Sequence, residues 1–223
     1  MKATDMYSKS LNALFTAIRL LFKNRRALVL ILAAYIGLLI TLYLFVSTPI
    51  SQLLVTFFSI AAAPALFFLL QAASVTYTTG SLRKVAIVSL KLFIVSIPVI
   101  ALAVFAAYKV NLTTLRYLLV GVVAPLLAIQ LWIATSNNGL RRVGQVLRKT
   151  FAPDSVFVYA CGFLIFAVAP YLLLRKSIPT ERAWLEISLL TVRLAASAML
   201  MLVGWVATVG AISILSRDDY VDF

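Results

Sequence analysis

Long unbroken apolar runs alternate along the chain with short polar joints. Six runs, at 27–46, 50–73, 88–108, 115–135, 156–174 and 189–215, reach or approach the roughly 20 residues that a helix needs to cross about 30 Å of hydrocarbon. Strands of a membrane barrel would instead alternate polar and apolar positions over about ten residues, and these runs do not alternate. The pattern predicts an all-α polytopic membrane protein with six transmembrane helices. Short joints such as 47–49 and 109–114 make sequential helices antiparallel neighbours. Pro64, Pro98, Pro125 and Pro170 fall inside four of the runs; each frees a carbonyl and can kink its helix.

The polar joints carry a pattern of their own. Residues 81–93, SLRKVAIVSLKLF, and 139–151, GLRRVGQVLRKTF, share Leu82/Leu140, Arg83/Arg141, Val85/Val143, Val88/Val146, Lys91/Lys149 and Phe93/Phe151. A weaker copy, SLNALFTAIRLLF at 10–22, precedes the first run. The chain therefore divides into three units, each an interfacial segment followed by a helical hairpin. Internal repetition and convergent loop chemistry both account for the likeness, and both put the segments at the membrane surface. At helical spacing, Arg141, Arg142, Gln145, Arg148 and Lys149 share one face of 139–151. In 10–22, Asn12, Thr16 and Arg19, then Lys23, mark one face, while Leu11, Leu14, Phe15, Ile18, Leu21 and Phe22 mark another. Such a helix lies in the interface with its apolar face in the acyl boundary and its cations on headgroups. The 82–93 copy is less clean, and a direct run into the third span is the other reading of it.

Composition sharpens this. Of 223 residues, 63% are hydrophobic and 12% charged, against about 45–50% and 25% in ordinary globular domains, which excludes a water-soluble fold. Twenty Lys and Arg against 7 Asp and Glu give a net +13. In a soluble chain that excess would point to nucleic acid. Here no nucleic-acid partner is expected, and the cations belong to an anionic membrane surface. The expected partners are anionic lipids, with other membrane subunits or self-association. Placing both termini on one side gathers most of the cations there, including Arg19, Lys23, Arg25, Arg26, Arg83, Lys84, Arg141, Arg142, Arg148 and Lys149, the residues expected to meet headgroups. Cationic joints mark the cytoplasmic side, so both termini are expected in the cytoplasm of a bacterium, with the spans in its inner membrane. Tyr43, Tyr108, Tyr117, Tyr171 and Trp184 then fall near the outer ends and Tyr77 and Trp132 near the inner ends, where amphipathic rings prefer to sit. The expected organisation is a basic amphipathic segment at 1–26, a six-helix membrane domain at 27–215 and an acidic tail at 216–223. The run starting at Ala27 has no small-x-small cleavage site before Pro49 and reads as a retained span.

Chemistry is sparse. There is no histidine, and the single Cys161 lies in an apolar run, where it reads as packing. No carboxylate falls centrally in any span, which argues against a carrier coupled through membrane carboxylates. No phosphate-cradling loop, metal cluster or nucleophile–base pair stands out, so no enzymatic activity, metal or cofactor is expected. Gln71, Gln130 and Arg193 are the candidate polar site. The plainer reading makes the amides tethers between helices and Arg193 a side chain snorkelling to the outer surface. Ser197, Gly204, Ala207 and Ala211 line one stripe of the sixth run, where small side chains permit close helix approach. Gly204→Leu is then expected to cost far more than Leu202→Ala.

SLNALFTAIRLLFKNRR and NNGLRRVGQVLRKTF resemble segments of a broad group of bacterial six-span membrane proteins related to the membrane domain attached to some glycerophosphoryl diester phosphodiesterases. The pattern also resembles permeases of ABC exporters. That resemblance implies that the loop corresponding to 74–86 would contact an ATPase, although the 175–188 outer loop is short for the usual re-entrant hairpin. The expected function is a non-enzymatic structural or accessory subunit, or a lipid-interacting scaffold. The alternative is a permease working with a separate ATPase.

Overall fold

The computed structural model describes residues 3–49, 52–79, 84–136, 143–175 and 182–221. Among them no strand occurs. The helices are α1 (Ala3–Lys23), α2 (Arg25–Ser47), α3 (Leu53–Thr76), α4 (Val85–Lys109), α5 (Thr113–Leu118), α6 (Ala124–Ser136), α7 (Val143–Thr150), α8 (Pro153–Phe163), α9 (Ala169–Arg175) and α10 (Ala183–Val221). A π-helical turn at Leu119–Val123 joins α5 to α6, and another at Leu164–Val168 joins α8 to α9. Six helical stretches are long and apolar enough to span a bilayer: α2, α3, α4, α5–α6, α8–α9 and α10. This is the all-α, six-span architecture expected from the apolar runs.

Two local devices set where helices begin. Asn24 interrupts what would be one long helix, and its Oδ1 accepts the Ala27 amide at 3.2 Å, so α2 begins with a capped donor. Pro153 opens α8, where its missing N–H costs no helical bond.

Packing divides the bundle into two unlike ends. We call basal the end that holds α1, the starts of α2, α4 and α8, and the ends of α3, α6 and α10. There Leu70–Thr76 of α3, Tyr77 just after it and Val206–Ser213 of α10 are buried at every position. At the opposite, distal end the bundle thins out. Leu42, Tyr43, Phe45 and Val46 of α2 and Trp184, Ile187, Leu190, Val192 and Leu194 of α10 are exposed. The 39 residues of α10 extend about 58 Å at about 1.5 Å each, far more than the bilayer core. Its distal part faces outward and its basal part is the axis on which the rest packs.

Small side chains make the basal contacts possible. Lipid tails are as apolar as leucine, so helices in a membrane associate by close fit and interhelical hydrogen bonds. A Cβ on Gly204 would stand 2.9 Å from Ile165 Cγ2 and 3.0 Å from Phe166. One on Gly162 would run into the Thr208 side chain, and one on Gly210 into the Tyr77 hydroxyl. Ser197, Ala207 and Ala211 are buried with them, Ser197 Oγ lying 3.4 Å from the Pro170 carbonyl. Leu202 is also buried, so truncating it removes core packing of its own.

The interfacial segments differ from one another. α1 and α7 are separate helices packed on the bundle, α1 against α8 and α10, and α7 against α6. The described part of the 82–93 copy runs directly into the third span: Lys84 caps α4, Val85 is its first residue, and Lys91 is exposed on its side. The sixth run does not end at 215, since α10 continues to Val221.

Candidate functional site

The surface of α1 resolves into three faces. At about 100° per residue, Ser10, Ala13, Leu14, Ala17 and Leu21 form one stripe, all buried in the bundle. Leu11, Phe15, Ile18 and Phe22 form the next. Phe15 is 67% exposed and Phe22 56%, large apolar side chains with no protein above them. Asn12, Thr16, Arg19 and Lys23 form the third, also exposed. Sequence spacing merged the first two stripes; Leu14 and Leu21 belong to the protein core and not to the acyl boundary. α7 repeats the order around its axis in the same sense. Val146 and Thr150 are buried, Leu147 and Phe151 are exposed apolar groups, and Arg148 with Gln145 and Lys149 follows. Arg25, Arg26 and Lys84 are exposed at the same basal end. Arg83, Arg141 and Arg142 lie outside the described residues.

A buried tyrosine locks α1 in place. The Tyr77 hydroxyl lies 3.2 Å from the Ala17 carbonyl and 3.4 Å from that of Val206, so one donor bridges α1 and α10 from the end of α3. Desolvation raises its pKa above the usual tyrosine value. Sequence position had assigned Tyr77 and Trp132 to an interfacial belt, and both are buried instead. The signal that separates Tyr77 from a belt residue is its partner Gly210, 133 positions later in the sequence. Tyr43, Tyr108, Tyr117, Tyr171 and Trp184 do lie exposed near the distal ends of their spans.

The three polar candidates do not converge. Gln130 donates to Ser155 Oγ at 3.2 Å and Ser216 Oγ at 3.3 Å, tying α6, α8 and α10 together at the base. Arg193 donates through Nε, at 2.8 Å, and Nη2 to the Leu173 carbonyl. Leu173 is in the last turn of α9, where carbonyls lack helical partners and the helix dipole favours a cation. Arg193 is therefore committed to capping a neighbour. Gln71 accepts the Trp205 indole N–H at 2.8 Å.

Gln71 also borders a central cavity of about 500 Å³ to which all six spans contribute. Phe67, Phe68, Trp132, Phe166 and Trp205 crowd one part of its wall. Their rings meet edge to face, with Phe166–Trp205 at 5.3 Å, Phe67–Trp132 at 6.4 Å and Trp132–Trp205 at 6.5 Å. The Trp132 indole donates to Ser96 Oγ at 2.7 Å, and that hydroxyl donates to the Leu92 carbonyl. Ile100, Val120 and Met201 line the cavity and are themselves exposed, so it opens sideways between the spans. Among the described residues, no charged one lines it.

Beside the cavity, two spans are interrupted in the same way. The π turn Leu119–Val123 leads into Ala124–Pro125, and Leu164–Val168 leads into Ala169–Pro170. The sequences LVGVVAP and LIFAVAP match at Leu, Val, Ala and Pro, a signal visible in the chain that the basic repeat overshadowed. Proline at 125 has no N–H to offer the Gly121 carbonyl, and the Tyr159 hydroxyl supplies the missing donor at 2.7 Å. Among the described residues no group of His, Cys, Asp and Glu could hold a metal. No family model, curated protein or solved structure matches this chain.

Proposed function

We propose that this chain is a non-enzymatic integral membrane protein, a lipid-interacting scaffold or accessory subunit, whose basal end faces the cytoplasm and rests on anionic lipid. The three-faced α1 carries the reading. One face is bolted to α10, one offers bare phenylalanine and leucine, and one presents cations on the side away from the bundle. A helix built this way fixes the height of the bundle against a charged membrane surface. Each cation near an anionic leaflet contributes about 1 kcal/mol. The test is thermal melting of the purified protein in detergent micelles doped with phosphatidylglycerol or with phosphatidylcholine. The anionic lipid is expected to raise the Tm of wild type more than the zwitterionic lipid does. Arg19→Glu/Lys23→Glu/Arg26→Glu should abolish the difference. An equal response to the two lipids in wild type would refute the proposal.

One observation favours a permease as the second reading: paired interruptions in two spans flank a central cavity, and broken helices are where membrane carriers build their sites. Against it, Ser74–Tyr77 is buried under α1 and α10, which leaves that part of the expected ATPase contact covered. Mass spectrometry of chains co-purifying in mild detergent separates the two. A stoichiometric ATPase supports the permease; its absence supports the scaffold.

A further inference from the structure

The central cavity combines two features that call for an occupant. Its walls are carbon and aromatic rings, which lose dispersion contacts across an empty space. It also holds one unspent donor. Gln71 is 1% exposed, and its carbonyl oxygen is fixed by the Trp205 indole, which can only donate. That assigns the amide nitrogen to the cavity side, and among the described residues none accepts from it. An amide donor that faces an apolar cavity gains from an acceptor placed there. The mouth between the spans at Ile100, Val120 and Met201 faces the side of the bundle that lipid would cover.

We infer that the cavity binds a neutral long-chain lipid carrying a carbonyl, which enters between the spans head first and accepts a hydrogen bond from Gln71. The absence of lining charge excludes a phosphate or carboxylate headgroup, since an ionised head would be desolvated without a counterion. The edge-to-face cage of Phe67, Trp132, Phe166 and Trp205 takes the flat, polarisable carbonyl end. The side chains of Tyr35, Leu38 and Ile100 lie along the tail. This rests on the reading of the protein as lipid-interacting but uses a different surface from α1, so the two can fail separately.

Two of the chain's three tryptophans, Trp132 and Trp205, line the cavity, and the third, Trp184, is exposed on α10. In Trp184→Phe protein, emission therefore reports the cavity alone. The probes are methyl stearate brominated beside the carbonyl, the same ester brominated at the far end of its chain, and bromooctadecane. Saturable quenching is expected from the first ester and weaker quenching from the second. The hydrocarbon should bind about five-fold less tightly. Gln71→Met should weaken the esters about five-fold and leave the hydrocarbon unchanged. Ala128→Phe, which fills the cavity and keeps Gln71 in the chain, should weaken every probe by ten-fold or more. The Arg19→Glu/Lys23→Glu/Arg26→Glu protein should bind as wild type does. Equal quenching by the two esters, equal affinity for ester and hydrocarbon in wild type, or no saturable quenching would each overturn the inference. So would a dimer in which a second copy of this chain excludes every probe. The comparison of probes on wild type stands even where a variant fails to fold.

Discussion

Tyr77 and Gly210 show how much of this molecule hangs on single atoms. The hydroxyl that bridges α1 and α10 sits where a Gly210 side chain would be. Tyr77→Phe should cost about 1 kcal/mol through its lost hydrogen bond, and Gly210→Ala about 1–3 kcal/mol through overpacking. The double variant should cost clearly less than the sum, because removing the hydroxyl opens space for the new methyl; thermal melts in one detergent check it. The same hydroxyl sets a pH limit. An unfolded tyrosine loses its proton near pH 10, whereas burial holds Tyr77 protonated above that. The unfolded state therefore binds fewer protons as pH rises past about 10, and stability falls there. Wild type should lose more Tm than Tyr77→Phe does above that pH, and no more than it below. Gly204→Leu should be far more damaging than Leu194→Ala, because Gly204 abuts Ile165 and Phe166 while Leu194 faces outward. None of these partners is near in sequence. A stripe of small residues at 197, 204 and 211 is legible as a packing face, but the tyrosine that enters beside it is not. Its ring chemistry is the same whether it lies at a headgroup or against a glycine.

The spans were legible because lipid imposes a length and a composition on any helix that crosses it. Their ends were less so: α10 continues past Leu215 to Val221, and Ser216, just beyond the apolar run, is buried and accepts from Gln130. α1 was legible as amphipathic, but polarity alone has two values, and this helix has three faces. Leu14 and Phe15 are equally apolar, and only the bundle decides that one is core and the other faces outward. The interrupted spans make a separate prediction. Tyr159→Phe leaves the Gly121 carbonyl without its borrowed donor and should cost about 1 kcal/mol, near the upper range of such bonds in membranes. In a Pro125→Ala background the helix regains a backbone N–H at that position. The same Tyr159→Phe change should then cost almost nothing. Equal costs in the two backgrounds, by thermal melting, would mean that the tyrosine does not stand in for the proline's missing donor.

The whole bundle is asymmetric: it is densely buried at the basal end and more exposed at the distal end, with a cavity between. Gln130 with Ser155 and Ser216, Tyr77 with Ala17 and Val206, and Trp205 with Gln71 all fall in the half that α10 organises. The cations of α1 and α7 ring that half. Their placement gives the molecule a direction, and both the proposed lipid contact and the side from which a partner would approach depend on it. Threading is therefore the quantity to measure. In a Cys161→Ser background, single cysteines at Asn111, an exposed residue of the distal joint between α4 and α5, and at Lys9, an exposed residue of α1, can be challenged in intact cells with a membrane-impermeant maleimide. The account predicts labelling at Asn111→Cys without permeabilisation and at Lys9→Cys only after it. Labelling of Lys9→Cys in intact cells, with Asn111→Cys protected, would contradict it.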